Sequence, residues 1–137
     1  MGEAPHGEPL ALYVHWPFCV TKCPYCDFNS HVRATVDDSA WRDALLADLA
    51  HEAAALPDRR LASIFFGGGT PSLMPAATVA AIIEAATGHW APDADIEITL
   101  EANPSSVEAA RFAGVAAAGG NRLSLGLQAL DDADLKA

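Results

Sequence analysis

Cys19, Cys23 and Cys26 are the three thiols of this chain, and they fall within eight residues in the spacing C-x3-C-x2-C. Thiolates are soft ligands that favour iron–sulfur clusters, zinc and copper(I) over hard cations. Pro17, Lys22 and Pro24 in and beside the segment predict an exposed loop, able to wrap around one metal centre. The count of ligands matters. A four-iron cluster is ordinarily held by four cysteines, and a structural zinc site is usually closed by four protein ligands. Three cysteines in one loop leave one iron of a cubane open to another molecule. Three alternatives stand beside this reading. A zinc site could recruit His15 or His31, a disulfide would strand one cysteine, and free thiols can pack as small hydrophobes.

Further chemistry-bearing residues sit where predicted strands end. Gly67-Gly68-Gly69-Thr70 follows an apolar run. Without Cβ atoms, glycines let a backbone come close to a ligand. The run is neither a P-loop nor a G-x-G-x-x-G dinucleotide motif, and a plain tight turn is the alternative. Glu101 closes the next strand, ahead of Ala102-Asn103-Pro104. A carboxylate there can accept hydrogen bonds from two vicinal hydroxyls, as it does for ribose in nucleotide folds; otherwise it is a solvated surface charge. Gln128 stands in S-x-G-x-Q, Tyr13 lies six residues before Cys19, and Tyr25 directly precedes Cys26.

The strings Tyr13-Val14-His15-Trp16-Pro17-Phe18-Cys19 and Cys23-Pro24-Tyr25-Cys26-Asp27-Phe28 resemble the HemN/HemW branch of the radical S-adenosylmethionine (SAM) enzymes. That resemblance implies that Cys19, Cys23 and Cys26 hold a [4Fe-4S] cluster whose fourth iron is chelated by the amine and carboxylate of S-adenosyl-L-methionine. It implies a glycine-rich segment, Gly68, Gly69 and Thr70, whose backbone bonds the SAM amino group. It further implies that Glu101 contacts the ribose and that Tyr13, Tyr25 and Gln128 lie against the cofactor. The chemistry implied is reductive cleavage of SAM to methionine and a 5′-deoxyadenosyl radical. Within the branch, Phe28 stands where the oxygen-independent coproporphyrinogen III oxidases carry a fourth cysteine, and Tyr13 lies almost at the start, where those oxidases have a long extension. The segment Cys26 to His31 is more similar to the haem-chaperone members. The resemblance therefore implies haem as cargo, with haem-requiring acceptor proteins, membrane enzymes among them, and an electron donor as partners. An oxidase acting on a porphyrin is the alternative, and a zinc protein a more distant one. His15, His31, His51 and His89 are present, and none is assigned as a haem ligand.

These residues need elements to position them. Alternation and turn signals predict strands over Leu10–His15, Leu61–Phe66, Asp95–Glu101 and Asn121–Gln128. Helical spacing predicts a helix from about Ala40 to Ala55, capped by Asp37, Asp38 or Ser39. A second begins near Pro75 and stops before Gly88. A third is capped by Ser105 or Ser106 and runs to about Ala118, and a last one has barely begun at Asp131. Strands alternating with helices predict an α/β fold of parallel βα units. Apolar residues oppose polar ones in the first, third and fourth strands, whereas the second is apolar on both faces. The expected architecture is thus a partial (β/α) TIM-like barrel of about four units, with its site at the C-terminal strand ends. The family's barrels have six such units, so a fragment is expected: a tail over 1–9, then the N-terminal part of the core domain over 10–137.

The 137 residues are 51% hydrophobic, with 8 basic against 18 acidic residues and a formal net charge of −10. That balance argues against a nucleic-acid surface. No apolar run approaches the roughly 20 residues of a membrane span. The opening MGEAPHGEP does not read as a signal peptide. Metal-poised cysteines without an export signal predict a reducing, cytoplasmic location.

Overall fold

The computed structural model describes residues 6–19, 31–32, 37–102 and 109–125. The order is β1 (Pro9–Trp16), β2 (Phe18–Cys19), β3 (His31–Val32), α1 (Asp38–Ala55), β4 (Arg60–Gly68), a 3-10 turn (Pro71–Leu73), α2 (Ala76–His89), β5 (Ala91–Ala102), α3 (Ala109–Ala118) and β6 (Arg122–Leu125). The larger sheet has the order β1-β4-β5-β6 with every pair parallel, and β2 pairs with β3 beside it. This is the expected α/β alternation.

Register assigns the two faces of the sheet. Leu12, Ile64 and Ile98 form one row, and Val14, Phe66, Leu100 and Leu123 the next. Apart from Leu123, which is exposed, these rows join Leu49 of α1, Val79, Ile82 and Ala86 of α2 and Val115 of α3 in a single core. The opposite face carries the row Tyr13, Phe65, Thr99 and Arg122, then the pairs His15–Gly67 and Glu101–Ser124. Strict alternation would put Leu61 and Ile64 on opposite faces. The register shifts at Ala62, and this bulge turns both side chains into the core, where they are essentially fully buried.

Helix ends follow local chemistry in most places. The Asp37 side chain accepts a hydrogen bond from the Ala40 N–H at 3.0 Å, the N-cap expected of it. The residue before a proline avoids helical geometry, and α1 closes at Leu56, directly before Pro57. Gly119 takes φ +117° just past α3, the left-handed turn for which glycine is favoured. The Ser105 or Ser106 cap and the helix expected from Asp131 lie outside the described residues.

Several boundaries differ from expectation, β4 for instance running on to Gly68. Two of the differences have a cause in distant contacts. Helix α2 does not stop before Gly88 but continues to His89. The cause is Trp90, which is 3% exposed and donates its indole N–H to the Leu56 carbonyl at 2.8 Å. That anchor carries the helix through a glycine with open space around it. Strand β5 begins at Ala91, four residues before the expected Asp95, because Ala91 and Pro92 pair with Arg60 and Leu61. The Arg60–Asp93 ion pair at 2.6 Å fastens this start. Residues 93–96 then bulge opposite Ala62 before pairing resumes at Glu97.

Candidate cofactor site

The C-terminal ends of β1, β4 and β5 bring Tyr13, His15, Gly67 and Glu101 to one side of the sheet, with Gly68 next in the chain. The Tyr13 ring stacks on Phe65 with centroids 5.9 Å apart and planes 15° from parallel. Its hydroxyl lies 3.4 Å from His15 Nδ1. Partial burial of the phenol, and then the Glu101 carboxylate, raise the Tyr13 pKa above its usual 10.0. The site therefore holds a protonated phenol and a carboxylate acceptor near one another, beside a glycine backbone. Such a set can receive a ligand bearing hydroxyls and an amine.

The glycines are packed against β1 and its continuation. A Cβ at Gly67 would lie 2.8 Å from the Tyr13 ring and hydroxyl. Gly68 has φ +119°, and a Cβ there would meet the Trp16 carbonyl and the His15 ring. A Cβ at Gly69 would strike the backbone of Phe18. The N–H of Gly69 donates to the Trp16 carbonyl at 2.6 Å, and that of Thr70 to the Phe18 carbonyl at 2.7 Å. Thr70 itself is buried.

Of the cysteines, Cys19 closes β2, where its backbone pairs with Val32. Cys23, Tyr25, Cys26 and Gln128 lie outside the described residues, as does Phe28. Among the described residues no three His, Cys, Asp or Glu converge as a metal site.

Sequence reasoning missed part of the surroundings. Phe65, the platform under Tyr13, was signalled only by a second strand apolar on both faces. Trp16, Phe18 and Trp41 form an edge-to-face trio at centroid distances of 5.0 to 6.4 Å, of which Phe18 directly precedes Cys19. Trp41 reads locally as one more apolar helix position, and its partners come from a different element. On the polar face Arg122 pairs with Glu97 at 2.7 Å, and the Thr99 hydroxyl donates to the same carboxylate at 3.2 Å.

A sequence model of the Radical SAM superfamily matches residues 13–137. Radical S-adenosyl methionine domain-containing protein 1, mitochondrial, of Bos taurus is 48% identical over 97% of this chain and 30% of its own length. Heme chaperone HemW of Escherichia coli (strain K12) is 44% identical over 93% of this chain and 34% of its own. Among solved structures, the coproporphyrinogen III oxidase (HemN) from Escherichia coli, a radical SAM enzyme, matches with TM-score 0.82 and 31% identity. That match covers 93% of this chain and 30% of the HemN chain, so the four-stranded sheet and its helices correspond to part of a radical SAM barrel. The chain spans about a third of the length of the curated relatives it matches.

Proposed function

This chain belongs to the radical SAM superfamily, and from that membership we propose that Cys19, Cys23 and Cys26 hold a [4Fe-4S] cluster open to S-adenosylmethionine. The protein carrying it binds haem and passes it to haem-requiring acceptor proteins. The observation that supports this most directly is the docking of the Phe18 backbone, one residue before Cys19, on Gly69 and Thr70, next in the chain to the glycines that meet Tyr13 and His15. A soft ligand in the chain beside a glycine backbone, with a strand-end carboxylate on the same sheet, fits a cluster and its SAM.

When bound and reduced, the cluster supplies the electron that cleaves SAM; that chemistry belongs to the cofactor. The residues of this chain do the positioning. Glu101 accepts from the ribose hydroxyls. Carbonyls of the Gly68–Thr70 segment receive the ammonium of the methionyl group, which only donates hydrogen bonds and so needs acceptors. Tyr13 stays protonated and shields one side, with Tyr25 and Gln128 as further contacts. Thiolates kept free for metal require a reducing compartment, the cytoplasm in this reading.

Chaperoning is favoured over porphyrinogen oxidation by Phe28, which replaces the fourth cysteine of the oxidases, and by the 44% identity to a heme chaperone. The likeness to HemN supports the oxidase as second reading. Reconstitution under argon with iron and sulfide tests the cluster, and haem and coproporphyrinogen added afterwards distinguish the two readings. The expected protein is brown, and its reduced electron paramagnetic resonance (EPR) spectrum changes when SAM is added. Cys19→Ala, Cys23→Ala and Cys26→Ala abolish the cluster. Glu101→Ala keeps it and weakens SAM binding roughly 10-fold or more, the effect of losing hydrogen bonds to a charged group. Haem added to the protein produces a shifted Soret band, and coproporphyrinogen is left unconverted. Uptake of one zinc with refusal of iron would overturn the reading, and turnover of coproporphyrinogen would replace it with the oxidase.

A further inference from the structure

Glycines at the end of a strand are ordinarily read as making room for a ligand. Gly69 instead makes room for the chain itself. Its missing Cβ would lie 2.6 Å from the Phe18 carbonyl oxygen, 2.8 Å from the carbonyl carbon and 3.1 Å from the Phe18 nitrogen. All three are backbone atoms of the residue before Cys19, so no side-chain rotation relieves the clash. The backbone of Gly69 is not in the left-handed region, and alanine there is excluded by packing alone. The N–H groups of Gly69 and Thr70 meanwhile continue the β1–β4 pairing beyond its last partners, onto the carbonyls of Trp16 and Phe18.

We propose that Gly69, with the amides of Gly69 and Thr70, is the seat that fixes the height of the Phe18–Cys19 strand, making Gly69 a positioning residue for the Cys19 thiolate. This rests on Cys19 being a cluster ligand. The glycine segment then divides its labour by residue. Gly67 abuts side chains only, the outer end of Tyr13, which is 56% exposed, and the edge of the Phe65 ring. Gly69 abuts backbone. Gly67→Ala therefore disturbs Tyr13 and leaves the cluster intact, while Gly69→Ala lifts the cysteine strand. Because the seat and a cluster bound through Cys19 would both hold the same strand, each stabilises the other.

The test compares wild type, Gly67→Ala, Gly69→Ala and Gly88→Ala, the last a control in open space on α2. Iron content, loss of the cluster to a chelator and the EPR spectrum of the reduced cluster are read without SAM. Gly69→Ala is expected to lose its cluster roughly 10-fold faster or more, the scale seen when supports of metal ligands are altered, with a shifted EPR signal. The other two variants match wild type. A second measurement covers the case in which Gly69→Ala does not fold. In the wild-type protein, hydrogen exchange at the Gly69 and Thr70 amides is slow with the cluster and faster after its removal. A Gly69→Ala protein that holds its cluster like wild type, or exchange that ignores the cluster, overturns the seat alone. A wild type that takes up no iron overturns the cluster assignment on which the seat depends.

Discussion

Tyr13 joins the polar face of the sheet to its chemistry. More than half of it faces solvent, yet partial burial and the Glu101 carboxylate both oppose the phenolate and raise its pKa above 10.0. The sign of the consequence follows from linkage. The folded state holds this proton more tightly than the unfolded chain, so the contribution is complete below pH 10 and is lost as pH rises through the raised pKa. An ultraviolet titration of the phenolate band, with Tyr25→Phe to isolate the signal, is expected to give a midpoint above that of free tyrosine. Glu101→Gln removes the charge but not the burial, so the midpoint falls part of the way back. An unchanged midpoint in that variant would mean that the carboxylate does not act on the phenol. The resemblance assigned Tyr13 and Glu101 to one cofactor although they lie 88 residues apart; what it did not give is the parallel register that puts them on one face and lets the carboxylate act on the phenol.

At the scale of elements, Asn121 shows why boundaries are harder to read than interiors. Before a strand, asparagine reads as a turn residue, and the sequence reading placed it there as the first residue of the fourth strand. In the structure its side chain substitutes for a stretch of backbone. Oδ1 accepts from the Ile98 N–H at 2.8 Å, Nδ2 donates to the Ile96 carbonyl at 2.8 Å, and its own N–H donates to the Ile98 carbonyl at 3.0 Å. Asparagine is thus the clamp that starts the β5–β6 ladder. Replacing it by alanine gives up two hydrogen bonds and is expected to cost about 1–2 kcal/mol. The check is a lower urea midpoint with an unchanged slope. Asn121→Asp keeps the acceptor but loses the donor to Ile96, so it does not recover the alanine loss. Equal midpoints for wild type and Asn121→Ala would show the clamp to be idle. The Asp37 cap was readable because its partner is three residues away, and so was the Gly119 stop, whose φ of +117° is a demand of the local chain. The persistence of α2 through Gly88 was not, since it depends on an indole bond to Leu56, 34 residues distant.

For the whole molecule, the alternation visible in the sequence becomes a division of labour between the two faces of one sheet. The chain order of the four main strands is their order in space, as short βα connections require, so that much could be read in advance. The β2–β3 pair could not, because strands of two residues carry no periodicity. Phe65 and Phe66 put the division to a direct test, since adjacent strand residues point to opposite faces. Phe66 is fully buried among Val14, Leu100 and the helices. Truncating it to alanine is expected to cost about 3–5 kcal/mol, a large part of the roughly 5–15 kcal/mol that holds a domain folded. Phe65 is half-buried on the other face, where its main partner is the stacked Tyr13 ring. Such a stack adds about 0.5–1.5 kcal/mol beyond the area it buries, so Phe65→Ala should unfold at a urea concentration much nearer to wild type. Its effect belongs instead to the site: Tyr13 loses its support, and SAM binding weakens in a protein that remains folded. Phe66→Ala should show the reverse, a large drop in the urea midpoint with near-normal SAM binding wherever the chain is still native. Equal destabilisation by the two substitutions would mean that the core extends through the sheet and that this face is not reserved for a ligand.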